Sequence, residues 1–443
     1  MEYPGTWLIK PIRTAILIFF ITAFFVIAPL VLLYTAGYRY DFKNGLIKET
    51  GAISIDIEPK NAHAFINEDY FDKMPIRLKN VAPNKYDVKI ELDGYYTWKK
   101  EIKVDKRETT YIKDISLLQN NEPQLFLEKN PYSFETVQDT YLIYCLKTEN
   151  IHEVWSYNLK TNNDQLLLRL NSQNDLDIIT SKNFNYIVIN NDNNSILTLI
   201  NLDEPEKQIQ LNKKITEKII KFEWNNDSDP ELFFSTTKKI MSIKPATENI
   251  YQITDNKYMD WDMENGRLWT LQTNTTTSDI EIYEDTLGFS KQINELEIKG
   301  KQTFNITNSL DGNILIKNTN QPEMFLINEN NIFKISGDKN IISDSSNWWL
   351  MWSWWELQSY DNGNEPLLLN RSGEKLQEVI PLDEYNTLAL VWADKTTVLY
   401  PYYFVNHDLM NYSIKNVRID KQNKILYFLI NQLDKAGIGS LKY

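Results

Sequence analysis

The chain has 443 residues, 42% of them hydrophobic and 24% charged, with a net charge of -13. That length exceeds the reach of one hydrophobic core, so two or more domains are expected, and the composition excludes a disordered chain. The negative charge excludes the clustered Lys/Arg footprint that a nucleic-acid binder needs to displace counterions.

After a short first segment (1–11), residues 12–36 read IRTAILIFFITAFFVIAPLVLLYTA, uncharged beyond Arg13. About 25 apolar residues cross a hydrocarbon layer of ~30 Å as one helix, and such helices tolerate a proline like Pro29. Trp7, Tyr34 and Tyr38 sit where interfacial aromatics are expected. Lys10 and Arg13 precede the span while Arg39, Lys43 and Lys48 follow it, so charge bias does not orient it. Because the foldable chain follows the span, the expected orientation puts 1–11 in the cytoplasm and the bulk outside. A cleavable signal sequence would have an apolar region of about 7–15 residues and a small-x-small cleavage site. This run is longer and Tyr34-Thr-Ala-Gly37 is a poor match, so an uncleaved single-pass anchor is expected, followed by a linker over 37–49.

From Thr50 to Leu118 the pattern changes to period two. Ala52–Ile57, Tyr86–Leu92 and Glu101–Val104 alternate as half-buried strands, with turn signals at Pro59-Lys-Asn61, Pro83-Asn84 and Asp93-Gly94. A small β-sandwich over 50–118 is expected. Thr50-Gly51, Ile53-Ser-Ile55, Pro59, Ala62 and Ala64-Phe-Ile-Asn67, then Met74-Pro75, Leu78, Pro83, Tyr86-Asp-Val88, Gly94-Tyr95 and Trp98, together resemble a PEGA domain. The namesake tetrapeptide reads Pro59-Lys-Asn-Ala62 here, and Asn84 stands where a glycine is usual, a position where Asn tolerates left-handed geometry. The resemblance implies an accessory β-domain with no catalytic residues to transfer.

Residues 119–443 repeat a unit of some 35–45 residues without helices, the period of propeller blades. Pairs such as Tyr141–Leu146 with Val154–Leu159, Glu231–Phe234 with Ile240–Ile243, and Asn313–Lys317 with Met324–Ile327 mark successive units. Seven or eight blades are expected, the last combining three strands from Val417–Tyr443 with a fourth from Glu122–Leu127 to close the ring and hide its edges. The fold class is thus all-β: an N-terminal transmembrane helix, a PEGA-like sandwich and a seven- or eight-bladed propeller. This order, with the juxtamembrane run Tyr34–Tyr40, resembles bacterial PEGA-domain envelope proteins.

The chemistry-bearing residues are sparse. His63, His152 and His407 fall in different units without ligand spacing. The one cysteine, Cys145, lies in the apolar run Tyr141–Leu146, which predicts a buried, inert thiol. No Gly-x-Ser-x-Gly elbow or phosphate loop is present. The amide- and acid-rich loops Asn190–Asn194, Asn225–Asp229 and Asp361–Gly363 lack the calcium-loop pattern, and turn chemistry accounts for them. No catalytic residue, cofactor or metal site is therefore expected, nor convergent carboxylates at the ring centre. Trp348–Trp355 is apolar on both alternating faces, the pattern of a strand packed between two blades, with Trp354 and Trp355 reaching a rim. Tyr400-Pro-Tyr-Tyr-Phe404 contains a ladder-breaking proline and should form a strand end or loop. Trp354, Trp355, Tyr400, Tyr402, Tyr403 and Phe404 are accordingly the candidate binding residues. The expected function is an envelope binding or scaffold protein whose partner is a protein or a cell-wall glycan. A propeller hydrolase or lyase acting on wall polymer is the alternative, and a spacer without a ligand is a third reading.

Overall fold

In the computed structural model the described residues are all except 1–5, 36, 42–45, 192–195, 226–228, 276–278, 287–288, 298–301, 344–347, 362–364 and 433–434. They form two compact units, Met1–Asn120 and Asn121–Tyr443.

The first unit opens with the helix Thr6–Thr35, which continues through Pro29. Its stretch Ile12–Thr35 is 24 residues long and has no buried side chains, long and apolar enough to cross a membrane. At its C-terminal end Arg39 donates to the carbonyls of Tyr34 (2.6 Å) and Tyr38 (2.7 Å) and lies 3.7 Å over the Tyr34 ring. That satisfies a carbonyl the helix leaves open. A hairpin, Tyr38–Asp41 with Leu46–Glu49, follows.

Two sheets then pack face to face. Gly51–Glu58 runs antiparallel to Ile76–Val81 and parallel to Thr109–Ser116; the other sheet orders Asp69–Phe71, His63–Ile66, Asn84–Glu91 and Trp98–Val104. The period-two pattern is realised in Gly51–Glu58, whose alternate residues Ile53, Ile55 and Ile57 are buried with Val88, Ile90 and Trp98. Gly94 takes φ +81 in its turn, as its sequence context predicts. Asn84 differs from expectation. It opens a strand, paired with Val104, because the ladder resumes directly after the bend at Pro83; the left-handed Asn80 (φ 62) is instead a bulge within Ile76–Val81, skipped in the pairing with Gly51 and Ala52.

The second unit is a β-propeller. Among the described residues, seven four-stranded antiparallel sheets follow in chain order, spanning 133–171, 176–210, 219–255, 260–296, 304–336, 339–371 and 376–410. In each, strands adjacent in sequence are adjacent in space. The eighth sheet orders Lys415–Asp420, Ile425–Gln432, Lys435–Lys442 and then Gln124–Leu127, so the start of the unit completes its last sheet. Asn416 donates to the Phe134 carbonyl (3.3 Å) and Arg418 pairs with Glu135, joining the eighth sheet to the first. The ring is closed, and closure removes the exposed edges that invite aggregation.

Apolar clusters bridge neighbouring sheets. Val154 packs with Ile187, Leu199 with Leu232, Phe233 with Trp261, Trp269 with Ile314, and Phe134 with Tyr427. Between the seventh and eighth sheets, the Tyr443 hydroxyl donates to the Leu382 carbonyl at 2.7 Å. All five residues of the strand Trp348–Trp352 are buried. Trp348, Leu350 and Trp352 pack on the seventh sheet, whereas Trp349 and Met351 pack on the fifth. The strand is a wedge with two apolar faces. Trp349 is fully buried, so Trp349→Ala should cost about 4 kcal/mol. Trp354→Ala, at a position 58% exposed, should stay within about 0.5 kcal/mol, and chemical denaturation reads both.

Candidate functional site

The candidate aromatics fall at opposite ends of the propeller sheets. Trp354 and Trp355 occupy the turn after the second strand of the sixth sheet, and the Trp354 carbonyl accepts from Leu376 N–H at 2.7 Å. Leu376 starts the seventh sheet, where it pairs with Trp392. Tyr402, Tyr403 and Phe404 form the turn between Thr396–Tyr400 and Val405–Met410, at the end where Pro381 pairs with Leu388. The length of a five-residue strand, roughly 15 Å, separates the two ends.

Exposure divides the set further. Tyr402 (60%) and Phe404 (54%) face solvent, and Tyr403 is half-buried. Tyr400 does not belong with them. It is buried at the end of its strand, paired with Val405 and 5.7 Å from the His407 ring, because the ladder runs up to Pro401 before breaking. Phe404 sits at φ 52, the left-handed region that bulky residues avoid at a cost of roughly 1–2 kcal/mol. At the other end Trp355 is already covered: the Arg371 guanidinium lies 4.9 Å over its ring and pairs with Glu356 at 2.9 Å.

The Tyr402 end forms a cleft of about 320 Å³ lined by Trp348, Leu367, Leu369, Tyr402, Phe404 and, at its polar side, Asp361 and Glu365. The Trp348 and Tyr402 rings stack at 5.9 Å and 16°, so the largely buried Trp348 supports the exposed Tyr402. Leu367 is itself 55% exposed.

The ring centre holds what the sequence reading missed. A second cavity of about 320 Å³ is lined by Glu223, Asp262, Glu264, Ser309 and Ile342, from the first strands of four successive sheets, with Lys182 beside them. Neighbouring sheets touch through these first strands, which places them innermost. Asp262 accepts from Ser309 Oγ (2.7 Å), while Glu264 accepts from Asp311 N–H (2.7 Å) and Trp269 Nε1 (3.2 Å). Asp260 accepts from Ile306 N–H at 2.7 Å. Three carboxylates of one strand thus staple the fourth sheet to the fifth. Glu223 approaches from the third sheet, and burial, then the charge of Asp262, pushes its carboxyl up to about 7. Burial also raises Glu264. The expectation of no carboxylates at the ring centre is therefore corrected. One signal was available: Asp260-Trp-Asp-Met-Glu264 alternates acid and apolar, which puts three carboxylates on one strand face.

The remaining chemical groups are structural. His152 is buried, its Nδ1 3.1 Å from the Tyr132 hydroxyl and its Nε2 3.2 Å from the Ser172 carbonyl. Cys145 is fully buried, which pushes its thiol up to about 11. Among the described residues no three His, Cys, Asp or Glu side chains gather as a metal-holding group. Residues 192–194, 226–228 and 362–363 of the amide-rich loops lie outside the described residues.

Residues 50–119 match the PEGA domain. The first unit carries a PEGA domain. No curated protein sequence matches the chain. Among solved structures, it is similar to dipeptidyl peptidase 4 of Porphyromonas gingivalis (9% identity, TM-score 0.49), with 71% of this chain and 58% of that one covered. It is also similar to the Cps50 (Swd1) β-propeller domain of Myceliophteria thermophila (9%, TM-score 0.45, 73% and 98% covered). Hsv2 of Kluyveromyces lactis gives 13% identity and a TM-score of 0.38, with 69% and 98% covered. The sheet order of the second unit, with its first strand closing its last sheet, is what defines the propeller.

Proposed function

We propose that this PEGA-domain protein is a membrane-anchored, extracytoplasmic binding or scaffold protein of the bacterial cell envelope. The apolar helix Ile12–Thr35 holds it in the membrane with its N-terminus inside, the PEGA domain acts as a stalk, and the propeller presents a protein- or glycan-binding face. The observation that carries this reading is the aromatic cleft at the Tyr402 end. Two exposed aromatics and an exposed leucine sit together over a stacked tryptophan, an arrangement typical of binding hot spots. Phe404 is held there at a backbone cost, which function rather than stability explains.

The test is retention of an envelope protein or purified wall polymer by the full-length protein in detergent. Tyr402→Ala should weaken retention by about tenfold or more. Phe404→Gly should do the same while melting at or above the wild-type temperature, because glycine relieves the left-handed strain. Unchanged retention in both variants would remove this face from the account. The alternative, a propeller hydrolase or lyase acting on wall polymer, draws on the carboxylates that meet at the ring centre. Its test is product release from wall polymer, abolished by Glu223→Gln.

A further inference from the structure

We infer that the Tyr402 cleft receives a cationic peptide segment, an arginine or lysine side chain of a protein partner lying over Tyr402 and paired with Asp361 and Glu365. The inference rests on the binding reading above and narrows it to one class of occupant.

The chain repeatedly builds a three-part arrangement of aromatic ring, carboxylate and cation. Arg371 covers Trp355 and pairs with Glu356. Lys129 lies 4.4 Å over Trp155 and pairs with Asp164. Arg107 lies 4.7 Å over Tyr38 and pairs with Glu49. In each case the cation gains both the ring quadrupole and a charged hydrogen bond. The Tyr402 cleft has two of the three parts. Its lining holds the exposed rings of Tyr402 and Phe404 and the exposed carboxylates of Asp361 and Glu365, with no Lys, Arg or His among the described residues. No ion pair among the described residues reaches either carboxylate. A partner supplying the cation completes the set.

The wider surface agrees. The acidic cavity at the ring centre lies toward the same end of the sheets, since Glu223, Glu264 and Leu310 fall at or beside the ends of their first strands. The net charge of -13 steers a basic segment toward the protein in general, and the carboxylates at this end localise it. A neutral glycan can donate hydroxyls to these two carboxylates but would leave their charge uncompensated, so the charge favours a basic peptide as occupant.

The experiment titrates the full-length protein in detergent with a fluorescein-labelled decapeptide of alternating arginine and glycine. A matched peptide carries citrulline in place of arginine. The expected result is saturable binding of the arginine peptide, weakened about tenfold by Tyr402→Ala and by the isosteric pair Asp361→Asn/Glu365→Gln. The pair Glu374→Gln/Asp394→Asn removes the same charge at the opposite end and should change binding less than about twofold. The citrulline peptide should bind about tenfold more weakly. Equal binding of the two peptides, or equal loss in both charge pairs, overturns the inference. If Tyr402→Ala abolishes retention of the envelope partner while the Asp361/Glu365 pair retains it fully, the cationic occupant falls and the binding face stands. If neither variant affects retention, both fall.

Discussion

Replacing Gly437 by valine should unseat the strand that closes the propeller. A Cβ at Gly437 would lie 2.3 Å from the Leu127 carbonyl oxygen and 3.0 Å from Leu125 Cδ1. The obstruction on one side is backbone, so it cannot rotate aside, and Gln124–Leu127 must move away from Lys435–Lys442. The eighth sheet then loses its outer strand and exposes an unpaired edge. The expected loss is about 3 kcal/mol, toward the upper end for overpacking, because ladder hydrogen bonds go with it. Protease should cut near Asn121 in the variant before the rest of the propeller. Gly373→Ala is the control, since nothing lies within 4 Å of its added Cβ, and its melting curve should match wild type. Equal melting of the Gly437 variant would show that the clasp contributes little.

Glu223→Gln should stabilise the propeller above neutral pH and leave it nearly unchanged in acid. The unfolded carboxyl titrates near 4.5, whereas in the folded chain burial and Asp262 raise it to about 7. Below pH 4.5 both states hold the proton, so the group costs nothing. Between 4.5 and 7 the unfolded state releases it while the folded state keeps it, and stability falls as pH rises. Above 7 the folded protein carries the full cost of the ionised group. A shift of this size corresponds to about 3 kcal/mol at most, and a gain of about 2 kcal/mol is expected for the glutamine variant at pH 8. Melting curves at pH 4, 6 and 8 measure it. A constant difference across that range would mean Glu223 does not titrate as its surroundings require.

Much of the fold was readable because its signals are local. Period-two alternation placed the strands of the PEGA domain, and a recurring unit of apolar strands and polar turns marked the propeller. The tryptophan run was legible for the same reason: alternate residues of Trp348–Trp352 are apolar on both faces, and the two faces do pack on different sheets. The clasp was legible from the strand count at the two ends of the repeat region. Tyr400 does end its strand as expected, but the ladder that reaches it also buries it, and Asn84 opens a strand where a turn residue was expected, because pairing resumes directly after Pro83. The acidic cavity was legible only in part. Asp260, Asp262 and Glu264 share a strand face by sequence alone, but Glu223 belongs to the preceding sheet, and only the packing of successive sheets brings it to them. The antiparallel order within each sheet sends Trp354 and Tyr402 to opposite ends, a separation that depends on which turn of each sheet a residue occupies.

That separation supplies the most direct test of a one-faced binding propeller. A photoreactive phenylalanine analogue would be placed at position 402 or at position 354 of the full-length protein, and each would be irradiated in native membranes. Covalent capture of a partner is expected from position 402 and none from position 354. Capture from position 354 alone, or equally from both ends, would contradict a one-faced propeller.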